Sequence, residues 1–232
     1  MSGKEETLAE RHCPILFLDG REEYHPIDFM DAVIHNRLIE ECREDTVVSH
    51  TAQRADGGWN VSYFILFAED TGVSILSHTV SAHKWDIERV DVLLGPDQSI
   101  TGVVYTPHGD TEDYRIYHPA DLEQILVGTR PVVFVGYGKH ATNAVPVVRR
   151  MAGIANDVCR RPRIRIDPTV YECPERLWRP YNYTRINNMS SIRQRVKVTR
   201  PESTRAVRLN KVKNINCLPF RAAKRWFKRR FM

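Results

Sequence analysis

The stretch AHKWDIERVDVLL, Ala82 to Leu94, places one histidine and two carboxylates within a short run: His83, Asp86 and Glu88. Two carboxylates and an imidazole can hold a divalent ion. Oxygen ligands favour magnesium, calcium or manganese, and the imidazole moves the balance toward zinc or manganese. The same groups could form a catalytic acid and base pair, or the solvated polar entrance of an ordinary strand. Side chains alternate along a strand, so Asp86 and Glu88 share a face and stand roughly 6.6 Å apart along the chain. Val90, Val92 and Leu94 continue that face. Acids leading an apolar stripe must reach water, pair with cations or hold a metal, because an unpaired buried carboxylate is costly.

Other chemical signatures are absent from the sequence. There is no GxSxG, Walker loop, GxGxxG or HExxH. The run Gly136-Tyr137-Gly138-Lys139-His140 has the wrong glycine spacing for a phosphate loop and reads as a strand-to-loop turn. Cys13 follows His12, and Cys159 lies close to Asp157. Such neighbours in sequence seldom form a nucleophile dyad, and both thiols read as buried and structural. No catalytic residue is assigned.

The elements that must position these groups are mostly strands. CPILFL (Cys13 to Leu18) reads as a buried strand, and residues 27–43 carry apolar residues at helical spacing. Gly57-Gly58 marks a turn before the strand WNVSYFILFA, and GVSILSHTV offers another strand. WDIERVDVLL, a GPDQ turn and SITGVVYTPHG read as a hairpin. PADLEQILV (119–127) reads as a short helix ended by Gly128, PVVFVGYG as a strand, and Val147 to Ile154 as helical. The fold class expected is mainly β with some α: an antiparallel β-sandwich decorated by a few helices, spanning residues 1–159.

Charge divides the chain. Its net charge is +5, yet residues 160–232 carry a net +17 and residues 1–159 a net −12. The second segment reads as an extended basic arm, since its apolar residues are too scattered for a core. Arg160, Arg161, Arg163 and Arg165 open it, and Arg193, Arg195 and Lys197 form a second cluster. Lys224, Arg225, Trp226, Lys228, Arg229 and Arg230 lie at its end, where Phe220, Ala223, Phe227 and Phe231 share a helical face. Such a strip with interleaved aromatics suits a protein partner, phosphates of a nucleic acid, or less well a membrane surface. The five cysteines are widely spaced with no CxxC, which favours reduced thiols over a zinc ribbon. The start MSGKEETLAERH lacks an apolar core, so an intracellular location is expected. No small-molecule substrate is evident.

Four segments carry a resemblance. They are Pro14 to Pro26; His83-Lys84-Trp85-Asp86-Ile87-Glu88; Gly102 through Pro107 to His108; and Val133-Phe134-Val135-Gly136 through His140-Ala141. In this order they resemble the necrosis- and ethylene-inducing-like proteins, whose signature is G-H-R-H-D-W-E. They are also similar to the HxGDWE string of the related vacuolar-protein-sorting sixty-two-like proteins. The resemblance implies a β-sandwich whose pocket holds one divalent cation. It matches His83, Asp86 and Glu88 to the signature, and His108 and His140 to histidines lining the same region. Ala82, Trp85 and Ile87 depart from it, and no upstream aspartate completing a metal shell is evident. The resemblance also implies a membrane-active toxin, against which the charged start weighs.

Taken together, the sequence leads to the expectation of a non-enzymatic structural or interaction protein. Its arm would lace the body to neighbouring subunits, specifically as a capsid-associated component of a virus particle. The alternatives are a divalent-metal-dependent hydrolase using His83, Asp86 and Glu88, and a nucleic-acid-binding protein acting through the arm.

Overall fold

The computed structural model describes residues 5–28, 31, 38–75, 78–80, 82–106, 115–146, 148–151, 154–173, 194–195 and 213–214. In chain order the strands are β1 (Ile15–Asp19), β2 (Thr46–Gln53), β3 (Trp59–Asp70), β4 (Val73–Ile75), β5 (His78–Val80), β6 (His83–Leu94), β7 (Ile100–Thr106) and β8 (Arg115–Tyr117). There follow β9 (Leu126–Val127), β10 (Arg130–Val135), β11 (Thr142–Asn143), β12 (Val148–Met151), β13 (Ile154–Val158), β14 (Pro162–Ile166) and β15 (Thr169–Glu172). Gln194–Arg195 pairs with Lys213–Asn214 as a further short ladder. Two short α-helices occur among the described residues, α1 (Leu8–Arg11) and α2 (Pro119–Leu122). Thr7 and Glu10 close a reciprocal capping box at the start of α1.

Two sheets form a β-sandwich. The larger runs β15-β2-β3-β6-β7-β8 and the smaller β11-β10-β1-β14, with β9 beside β10. Alternation builds the core between them. Val61, Tyr63, Ile65 and Phe67 of β3 face inward with Val90, Val92 and Leu94 of β6 and Val103 and Tyr105 of β7. Leu16, Leu18, Val133, Val135 and Ile166 answer from the smaller sheet. Tyr63 and Tyr105 donate their buried hydroxyls to the carbonyls of Ala9 (2.9 Å) and Val132 (2.7 Å), so neither phenol costs an unmet hydrogen bond. The run YFILFA is apolar at every position because β3 is buried on both faces: Phe64 and Leu66, pointing away from the core cluster, are buried too.

Several expectations change. Two pairings in these sheets are parallel, β1 with β10 and β15 with β2. The segment read as helical from Val147 to Ile154 is instead the β12–β13 hairpin, where β-branched and apolar residues meet across an antiparallel pair. Ile27 makes β-bridges to Glu44 and Leu66 rather than starting a helix, and residues 29–30 and 32–37 lie outside the described residues. The basic segment opens with sheet strands: β14 pairs with β1 and β15 with β2. The alternation Arg163-Ile164-Arg165-Ile166 explains this, since the arginines are exposed while Ile166 is buried in the core.

Candidate functional site

The pairing of β3 with β6 fixes where the signature carboxylates point. Asp86 stands opposite Phe67, Glu88 opposite Ile65 and Val90 opposite Tyr63. Asp86 and Glu88 therefore extend the inward face of β6 to one end of the sandwich, and both are buried, at 4% and 1% exposure. The solvated polar entrance considered for this strand is ruled out at these two positions.

His140 reaches the same place from the turn after β10. That turn is shaped by left-handed backbone at Gly138 (φ 63°) and His140 (φ 50°). It is closed by His140 N–H donating to Gly136 O at 2.8 Å. It is tied to the end of β3 by Thr71 N–H donating to Gly138 O at 2.8 Å. The imidazole is fully buried and stacks flat on Phe67, with ring centroids 3.9 Å apart. Its Nδ1 lies 3.0 Å from Asp86 Oδ2 and its Nε2 3.5 Å from Glu22 Oε1.

Glu22 sits in the segment after β1. Its carboxylate accepts backbone N–H bonds from Glu23 and Tyr24, both 3.1 Å, and from Gly138 at 2.8 Å. Asp70, the last residue of β3, faces His83 in register and binds the Lys139 ammonium at 2.7 Å in a buried ion pair. Burial alone would lower the basicity of His140, but hydrogen bonds to Asp86 and Glu22 raise its pKa to about 9. Burial pushes Glu22 upward, yet the His140 and backbone hydrogen bonds hold it below the ordinary carboxylate range.

Of the expected site residues, Asp86, Glu88 and His140 are brought together. His83 lies in β6 by its backbone, and its side chain and all of His108 fall outside the described residues. Glu22, Asp70 and Lys139 are the members sequence reasoning missed. Asp70 was legible in one respect: continuing the β3–β6 register outward from the core puts it opposite the signature histidine. Among the described residues, no group of His, Cys, Asp and Glu side chains is arranged to hold a metal ion.

The rim of this end carries Tyr137, 37% exposed, with the Arg21 guanidinium carbon 4.4 Å from its ring centroid. Arg21 is itself held by Asp19, with Nε to Oδ1 at 2.8 Å. Cys13 and Cys159 are held as thiols at neutral pH. Burial pushes the Cys13 thiol up to about 12 and the Cys159 thiol up to about 11. His12 turns from Cys13 and donates through Nδ1 to Thr129 O at 2.9 Å. Among the basic positions, Arg160 and Arg161 donate backbone N–H bonds to Asp19 Oδ2 at 3.1 and 3.4 Å, and Arg165 pairs with Asp167. Arg195 has only its backbone described; Arg193, Lys197, Lys224, Arg225, Trp226, Lys228, Arg229 and Arg230 lie outside the described residues.

No family model matches the chain, and no curated protein does. Solved structures that resemble it include Necrosis and Ethylene inducing Protein 2 from the causal agent of cocoa's witches' broom disease. That chain is 18% identical with a TM-score of 0.48, the match covering 73% of this chain and 74% of the other. A second, described as a toxin fold for microbial attack and plant defense, is 16% identical with a TM-score of 0.44, covering 73% and 76%. A third, NLPPya in complex with mannosamine, is 18% identical with a TM-score of 0.43, covering 71% of each chain. The likeness concerns the fold, and it is the fold that the resemblance of the sequence motifs implies. The expected capsid-associated structural role is corrected here: the structures that resemble the chain are described as a necrosis- and ethylene-inducing protein, a toxin fold and NLPPya, and none is described as part of a virion. Neighbouring subunits, nucleic acid and the vacuolar-protein-sorting link find no support there either.

Proposed function

We propose that the chain is a binding protein whose acid-rich sandwich end takes a hydroxyl-rich headgroup, the sugar portion of a glycan or glycolipid. The observation that carries this reading is Tyr137, exposed and capped by Arg21, on the same turn as His140, which is buried between Asp86 and Glu22. An exposed ring offers an apolar face to sugar C–H groups, and a guanidinium beside it donates to hydroxyls in a fixed direction. The His140 contacts behind it lock the turn, so both groups are presented without an ordering cost on binding. Sugar sites of this kind combine an apolar platform with a few fixed polar groups.

The test is titration calorimetry with mannosamine, mannose and glycolipid-bearing vesicles against the whole chain and its Tyr137→Ala variant. Binding to at least one of these, weakened about tenfold or more in the variant, is the expected result; a tenfold loss corresponds to about 1.4 kcal/mol. Absence of binding to all three, or equal binding by the variant, sinks the reading.

A further inference from the structure

The rim that carries Tyr137 and Arg21 continues along the β14 edge of the smaller sheet as a row of arginines. Asp19 links the two. Its buried carboxylate holds the Arg21 side chain and accepts the backbone N–H groups of Arg160 and Arg161 at 3.1 and 3.4 Å. Gly20 N–H donates to Arg161 O at 2.9 Å, which fixes the chain before β14 beside Arg21. Arg163 lies along Gly20: a Cβ built on that glycine would meet Arg163 Cδ at 3.1 Å. Arg165 stands opposite Phe17 in register, and Phe17 opposite Phe134. Those two rings stack with centroids 5.5 Å apart and are half-buried, which leaves apolar surface beside Arg165.

Arg21, Arg160, Arg161, Arg163 and Arg165 are all exposed. Asp19 is matched by Arg21 at 2.8 Å and Asp167 by Arg165 at 3.1 Å. Among the described residues, Arg160, Arg161 and Arg163 have no carboxylate partner. Residues 1–173 carry a net charge of −10, so this basic face stands on an acidic body. Salt screens charges beyond about 8 Å at physiological ionic strength, and at contact the local arginines set the sign of the field. A guanidinium pairs with a carboxylate through two parallel N–H bonds, which gives direction as well as charge. The face therefore suits a chain of carboxylates, and the rings beside it suit sugar C–H groups.

We propose that the glycan taken at this end is acidic, a chain bearing uronic-acid carboxylates, running from Tyr137 along the arginines of β14 and of the turn before it. This rests on the sugar reading above and names its substrate class.

The test is titration of the whole chain with polygalacturonate, with mannan as a neutral glycan and polyglutamate as a polyanion that is not a sugar. Polygalacturonate is expected to bind more tightly than either, by a margin that shrinks as salt rises. Arg163→Gln/Arg165→Gln changes two exposed side chains and is expected to lose about fivefold or more of the polygalacturonate affinity. Arg205→Gln/Arg208→Gln removes the same charge beyond residue 173 and is expected to lose less than about twofold. Polygalacturonate bound no better than mannan, with Tyr137→Ala weakening both, overturns the inference and leaves the sugar reading standing. Polyglutamate bound as tightly as polygalacturonate, or equal losses in the two arginine pairs, overturns the inference alone as well. Binding to neither glycan overturns both readings, and so does a polygalacturonate affinity that Tyr137→Ala leaves unchanged.

Discussion

His140 is the residue on which the site's electrostatics turn, and its pH dependence has a definite sign. Its pKa rises from an ordinary 6.5 to about 9 in the folded chain, because Asp86 and Glu22 favour the protonated ring. A raised folded value means the contribution to stability is complete below about 6.5 and is lost as pH climbs through about 9. Urea unfolding across that interval should show stability falling with pH, and His140→Gln should flatten the slope while costing roughly 3–5 kcal/mol at neutral pH. A wild-type profile level over this range would contradict the bridging geometry. The lowered pKa of Glu22 expresses the same interaction seen from its partner, so it adds no second term on the alkaline side. Asp86 and Glu88 were legible because residue type and strand alternation placed them on one face, whereas His140 was reached only through the resemblance to the necrosis- and ethylene-inducing-like proteins. Glu22 was not, because nothing in the sequence near it predicts that a loop after β1 will meet a turn after β10.

At the scale of elements, the turn Gly136 to Ala141 decides whether the site exists. Gly138 has φ 63°, and a Cβ built there would collide with the Thr71 hydroxyl. Gly138→Ala should cost roughly 1–3 kcal/mol in urea unfolding, through left-handed strain and this clash. A cost near zero would mean the turn relaxes freely and does not fix His140. β14 offers a matched pair of tests. Ile166 is buried in the core and Arg165 is exposed beside it. Ile166→Asp should cost about 3 kcal/mol or more through lost burial and a buried charge, while Arg165→Gln should stay within about 0.5 kcal/mol. Equal effects would place residues 162–166 outside the sheet. The strands β3, β6, β7 and β10 were readable from their β-prone runs and their bounding turns. The β12–β13 hairpin was not, because a short apolar segment does not distinguish helix from strand by periodicity. The parallel neighbours β1–β10 and β15–β2 were also hidden: each pairing joins segments more than a hundred residues apart, and no local pattern encodes which strands will meet.

For the whole molecule the open question is where the folded body ends. Composition put the break after Cys159, since net charge changes sign there. Packing puts it later. β1 is flanked by β10 and β14, and β2 by β3 and β15. Removing residues beyond Cys159 would turn β1 and β2 into open edges and uncover Leu16 and Leu18, which pair in register with Ile166 and Ile164. It would also strip from Asp19 the backbone donors of Arg160 and Arg161, leaving a buried carboxylate with fewer partners. The positive charge of residues 160–165 thus rides on a strand whose other face is apolar, so charge and strand pairing draw the edge at different places. A chain ending at Cys173 keeps both strands and carries a net charge of −10, far enough from zero to stay soluble. Circular dichroism during heating should show a cooperative transition in that chain and a broad, non-cooperative one in a chain ending at Cys159. If the shorter chain unfolds as sharply and at the same temperature as the longer, β14 and β15 contribute nothing to the sandwich, and the boundary drawn from charge is the correct one.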